Sequence, residues 1–183
     1  MGKFRFMFFS FDGRISRREF WAGAIALAVA ALILGFILMP VLGMSLTMGA
    51  DPLDFGSATD EQMLAFMQAQ ITHMAWGALL TVAILAWPAL ALLVKRAHDT
   101  GRAGMLAYAY VVIVFGVYVL QALGVLFVVG RVGSVPMPIP TPLAGLLYAL
   151  VGVLSLILLV TSGFLKGTPG SNPYGIHPRE RQT

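Results

Sequence analysis

Apolar and polar positions in this chain fall into blocks rather than alternating. Four apolar blocks stand out: Phe20 to about Leu42, Ala75–Val94, Met105–Val129 and Leu143–Leu165. Each is long enough to cross a bilayer, which takes ~20 apolar residues at ~1.5 Å rise each. No segment shows the two-residue period of a barrel strand, so the blocks predict helices. The expected fold class is all-α: a polytopic integral membrane protein with a four-transmembrane-helix bundle and a short amphipathic helix in the first outer loop. The expected layout is one membrane domain over 1–183: arm 1–19, span 20–42, outer loop 43–74, span 75–94, inner loop 95–104, span 105–129, outer loop 130–142, span 143–165 and tail 166–183.

Local signals refine these elements. Ser16-Arg17-Arg18-Glu19 reads as a capping box directly before the first span. That span exceeds the ~7–15 apolar residues of a signal peptide, and Met48-Gly49-Ala50 is a poor cleavage site, so it is read as retained. In the outer loop, Met63, Phe66, Met67, Ile71 and Met74 follow helical spacing, with Thr59 and Gln62 as a cap pair. This predicts a short amphipathic helix or an outward extension of span two. Trp87-Pro88 predicts a kink in span two. Small residues at Ala24, Ala28, Ala31 and Gly35, and at Gly145, Ala149 and Gly152, permit close helix approach. Segment 130–142 holds four prolines and is expected as loop. The arm KFRFMFFSF places Phe4, Phe8 and Phe11 on one helical face, suited to the headgroup layer. The tail KGTPGSNPYGIHP is too rich in Gly and Pro for a helix or central strand; it is either floppy or docked along an irregular path.

Composition agrees with a membrane chain. It is 58% hydrophobic and 11% charged, with a mean hydropathy of +0.85, too apolar for a soluble domain this small. A net charge of +4 does not point to nucleic acid, because the basic residues sort by loop. The arm holds five (Lys3, Arg5, Arg14, Arg17, Arg18), the 95–104 loop three (Lys95, Arg96, Arg102) and the tail three (Lys166, Arg179, Arg181), against none in 43–74 and one, Arg131, in 130–142. Eleven against one places both termini and the 95–104 loop on the cytoplasmic side. Asp51, Asp54, Asp60 and Glu61 fall on the other side. Cysteine is absent, so no disulfide framework or thiolate site exists. Spans two to four contain no Asp, Glu, Lys, Arg or His, and Gln121 is their one strongly polar side chain at depth. This argues against ion-coupled transport, which relies on buried ionisable groups.

The topology gathers three polar segments in one layer: Asp12, Arg14, Arg17, Arg18 and Glu19; Lys95, Arg96, His98, Asp99 and Arg102; Asn172, Tyr174, His177 and Arg179. We expect Asp12, Glu19 and Asp99 to pair with Arg14, Arg17, Arg96 and Arg102. The four arginines are the candidate anion-binding residues, because guanidinium forks suit phosphates. Asp12, Ser16, Glu19, His98, Asp99, Asn172 and Tyr174 form the candidate structural polar cluster. No catalytic residue, metal ligand or cofactor is assigned. The expected partners are anionic membrane lipids, with a homo-oligomer or a membrane-protein partner allowed by the small-residue faces, and no nucleic acid. One alternative is a membrane-interface enzyme. There His98-Asp99, with Asp12 or His177, would hold a metal or act as acid and base on a phosphate held by Arg14 and Arg102. The other is a small transport or assembly subunit.

FDGRISRREFW (Phe11–Trp21), then KRAHDTGRAG (Lys95–Gly104), then GSNPYG (Gly170–Gly175) resembles the bacterial membrane family known as domain of unknown function 805. The order of the three motifs is more specific than any one of them. The chain departs at Ala97, Ala103 and Met105, where the family pattern has Leu, Ser and Trp. The resemblance implies a small, multi-pass protein of the bacterial inner membrane and no established activity.

Overall fold

The computed structural model describes residues 2–41, 59–133 and 135–178. Asp51, Asp54 and the candidate cleavage site Met48-Gly49-Ala50 lie outside them, as do Arg179 and Arg181. The elements run α1 (Lys3–Phe9), α2 (Arg17–Val41), α3 (Asp60–Asp99), α4 (Met105–Ala122), β1 (Phe127–Val132), β2 (Val135–Pro140) and α5 (Pro142–Leu159), which ends in a π turn over Val160–Phe164. The fold is mainly helical. Four stretches are long and apolar enough to cross a membrane: Arg17–Leu38, Asp60–Asp99, Met105–Ala122 and Pro142–Phe164. Large apolar side chains stay exposed along them, with Leu32 at 66%, Val112 at 70% and Leu146 at 68%. That is unfavourable in water and natural against lipid.

Both predicted caps are made. Ser16 N–H donates to Glu19 Oε2 at 2.9 Å and Glu19 N–H donates to Ser16 Oγ at 3.3 Å. Thr59 N–H donates to Gln62 Oε1 at 2.9 Å and Gln62 N–H to Thr59 Oγ1 at 3.4 Å. The second cap opens a helix of 40 residues, so the amphipathic outer-loop helix is realised as an outward extension of span two. α3 runs on through the buried Pro88.

Two expectations need correction. Hydropathy carries span three to 129, yet α4 stops at Ala122. Gly124 adopts φ 74°, and Val125 N–H reaches Leu120 O while Gly124 N–H reaches Gln121 O, both at 3.0 Å. This is a glycine-based Schellman stop, which acts through backbone conformation and is invisible to hydropathy. Segment 130–142, expected as loop, instead supplies the second strand of an antiparallel hairpin pairing Phe127 with Pro140 and Val132 with Val135. Pro136, Pro138 and Pro140 recur every second residue, so their missing N–H groups all fall on one edge. The other edge, from Val135, Met137 and Ile139, can still donate to β1.

Contacts divide the chain into two compact units: Met1–Ala31, Ala83–Val114 and Leu150–Thr183 in one, Leu32–Val82 and Phe115–Ala149 in the other. The first has a core of Ile15, Phe20 and Leu92 with Phe6, Met7 and Leu27. A Cβ on Gly23 would lie 2.6 Å from Leu92, so α2 and α3 approach closely there. Of the expected small-residue faces, Ala24 packs against this core, whereas a Cβ added at Gly35, Gly145 or Gly152 would meet nothing within 4 Å. The second unit packs Ala75, Leu79 and Ala122 with Tyr118 and Val119. Gln121 Oε1 accepts from the Tyr148 hydroxyl at 3.1 Å. Thr141 caps α5 through Ala144 N–H at 3.2 Å, ahead of Pro142 in the first helical position. Arg131 pairs with Asp60 on the surface.

Candidate functional site

The last turns of α3 carry Lys95, Arg96 and Asp99. All three are buried, at 0%, 0% and 3% exposure, and so is Arg14 at 1%. Three buried cations thus accompany one buried acid. Asp99 stands between two guanidinium groups: Arg14 Nε donates to Oδ1 at 3.1 Å, and Arg96 Nη1 donates to Oδ2. The Arg96–Asp99 pair follows from i, i+3 spacing on one helix. Arg14 comes from the loop between α1 and α2 and crosses 85 positions in sequence.

The remaining donors go to backbone carbonyls. Arg14 reaches Gly170 O at 2.7 Å, Gly175 O at 3.2 Å and Thr168 O at 2.6 Å. Arg96 reaches Ser162 O at 2.6 Å and Leu165 O. Lys95 Nζ reaches Met7 O at 2.7 Å and Phe6 O, and lies 4.7 Å from the Phe6 ring centroid. Two of these groups are helix C-termini, which leave carbonyls without helical partners and carry partial negative charge. The π turn shows this best. Its carbonyls and the next are taken in order: Ser162 O by Arg96, Gly163 O by Trp21 Nε1 at 3.2 Å, Phe164 O by Arg17 at 3.3 Å and Leu165 O by Arg96. Helix-end carbonyls therefore offset the buried charge that Asp99 alone leaves uncompensated.

The tail docks on the end of α3. Gly101 adopts φ 75°, and Arg102 N–H reaches Ala97 O at 2.9 Å while Gly101 N–H reaches His98 O at 3.0 Å, again a Schellman stop. Thr168 N–H donates to Asp99 O at 2.8 Å, and Asn172 Nδ2 donates to His98 O at 2.9 Å. Asn172-Pro173-Tyr174-Gly175 closes a β-turn with Gly175 N–H on Asn172 O at 2.9 Å, matching the preference for Asn, Pro and Gly at positions one, two and four. The turn lays the Tyr174 ring on His98, with centroids 3.9 Å apart and planes 4° from parallel. His98 Nδ1 sits 3.2 Å from Gly13 O, so that nitrogen carries the proton. Of the two readings of the tail, the docked, irregular path is the one adopted.

The structure thus brings together Arg14, Arg96, His98, Asp99, Asn172 and Tyr174. It does not bring in the rest as expected. Glu19 serves its own cap at Ser16. Asp12 is exposed and forms no ion pair among the described residues. Arg102 is exposed, without an acid partner among the described residues, and Arg17 is exposed on a carbonyl. Sequence reasoning misses Lys95 as a buried member and the receiving carbonyls altogether. It also misses Gly167, where a Cβ would collide with the Asp99 carboxylate. Only the glycine density of 163–175 could have signalled a segment pressed against side chains. Among the described residues no three His, Asp or Glu stand together as metal ligands, and Asp99 has both oxygens committed to guanidinium groups.

Fold and site together define a small multi-pass helical membrane protein in which a buried arginine–aspartate clamp binds the arm and tail to one helix end. The family described as "Protein of unknown function (DUF805)" matches residues 8–176, and the chain belongs to it. The chain is similar to the uncharacterized protein YiiR of Escherichia coli strain K12, at 30% identity over 172 residues, covering 91% of this chain and 84% of that protein. The O157:H7 counterpart matches equally. No solved structure matches.

Proposed function

We propose that this is an inner-membrane protein whose termini face the cytoplasm, and whose clamp supports a basic rim that rests on anionic lipid headgroups. One observation carries the reading. Asp99 and backbone carbonyls together meet the buried Arg14 and Arg96, while Arg17, Arg18, Arg102 and Lys166 stand exposed. The described part of this layer holds nine cations (Lys3, Arg5, Arg14, Arg17, Arg18, Lys95, Arg96, Arg102, Lys166) and three acids (Asp12, Glu19, Asp99), a difference of six. Anionic headgroups supply the missing negative charge, at ~1 kcal/mol for each basic residue near the surface. Exposed Phe4 and Phe9 on α1 beside Lys3 and Arg5 suit the same interface. The partition also supports the reading: Arg14 and Arg96 are consumed in holding the fold, so contact with lipid passes to the exposed cations.

The test compares melting in nanodiscs of phosphatidylglycerol and of phosphatidylcholine. Wild type melts higher in phosphatidylglycerol, and high salt removes the gap. Changing Arg17, Arg18 and Lys166 together to Gln shrinks it. Equal melting of wild type in the two bilayers would sink the reading.

A further inference from the structure

A groove of about 250 Å³ lies where the 100–107 turn meets the end of α5. Leu93, Ala97, Leu106 and Leu158 form its apolar walls, with Arg102 and Thr161 also lining it. Arg102 pairs with no acid among the described residues: Asp99 is held by two other arginines, Glu19 by Ser16, and the exposed Asp12 forms no ion pair. Thr161 Oγ1 and Thr100 Oγ1 already donate to Ile157 O and Ala97 O. Arg102 is the one charged side chain lining the groove, and it forms no ion pair or side-chain hydrogen bond among the described residues. An apolar slot with a lone cation, at the end of three membrane-crossing helices, has the polarity of an amphiphile in reverse.

We propose that this groove seats one anionic phospholipid, its phosphodiester on Arg102 and the first methylenes of an acyl chain against Leu93, Leu106 and Leu158. The inference rests on the headgroup reading above and names a single site within it. The apolar walls favour a lipid over a free anion, which would gain Arg102 but nothing from the leucines. The charge on Arg102 favours a net-negative lipid over a zwitterionic one.

The test is native mass spectrometry of the detergent-solubilised protein, titrated with phosphatidylglycerol or phosphatidylcholine of identical chains. Wild type is expected to hold one phosphatidylglycerol with a preference of about fivefold. Arg102→Gln removes the preference; this side chain is exposed and uncommitted among the described residues, so the variant folds. Leu106→Trp fills the groove and lowers retention of the bound lipid. Gln68→Ala, exposed and in the other unit, leaves retention and preference as in wild type. Inorganic phosphate in excess does not displace the lipid. Preference surviving Arg102→Gln, retention surviving Leu106→Trp, or displacement by inorganic phosphate each overturns the groove. If the preference instead falls in the Arg17, Arg18, Lys166 triple variant and not in Arg102→Gln, the groove falls and the basic rim stands. If wild type shows no preference, both fall.

Discussion

At the scale of single residues, what matters is which charges are buried and by what they are met. Asp99 is the acid between two guanidinium groups at 0% side-chain exposure. Removing it leaves both cations buried with carbonyls alone, a loss of ~3–5 kcal/mol for a broken buried pair. Arg102 has a similar formal role in the sequence and a different one in space. We therefore expect Asp99→Ala to lower unfolding stability in a fixed detergent by that amount, and Arg102→Ala to stay within ~0.5 kcal/mol of wild type. Equal effects would mean that the two residues do not differ as burial says. Gly167→Ala should resemble Asp99→Ala, because its methyl group would displace the same carboxylate. The composition of the cluster is legible in the sequence, because charge is scarce in this chain. Its division into buried and exposed members is not. That division is decided by carbonyl acceptors at Ser162, Leu165, Thr168, Gly170 and Gly175, and a carbonyl looks the same on every residue.

At the scale of elements, the sequence is readable wherever the deciding interaction is local. The Ser16–Glu19 and Thr59–Gln62 boxes close over three residues and show in their spacing. The end of α4 is hidden because Leu123, Val125, Leu126 and Phe127 continue the apolar run past the stop at Gly124. The hairpin is hidden because proline counts against a strand in general, and only the period of two in Pro136, Pro138 and Pro140 makes them compatible with one. This makes a sharp prediction. Pro138→Ala should leave the hairpin intact, whereas Ile139→Pro should abolish it by deleting an inward N–H. Hydrogen exchange of the 127–132 amides reads the difference: slow in wild type and Pro138→Ala, fast in Ile139→Pro. Slow exchange in Ile139→Pro would mean that the proline phase is not what sets the pairing.

At the scale of the whole molecule, topology follows from charge. The proposed orientation, with eleven basic residues on the cytoplasmic side and Arg131 on the other, predicts that a fluorescent protein fused after Thr183 matures and fluoresces. The same orientation predicts that alkaline phosphatase inserted at Gly133, in the tip of the hairpin, is active. The reverse pair of results would invert the orientation and remove the basis for lipid contact at the clamp face.

The clamp also bears on how the protein is made. Arg14 is tied to Gly175 across 161 positions of chain. Translation produces the guanidinium before the four long apolar helices and its acceptors after all of them. Until residues 162–175 emerge, Arg14 and Arg96 have only Asp99 to share between them. Insertion into the bilayer can finish while the fold is still unlatched. A stretch translated after all four long helices is thus the one that locks the arm ahead of them, and a chain cut short before it leaves Arg14 and Arg96 without those carbonyls.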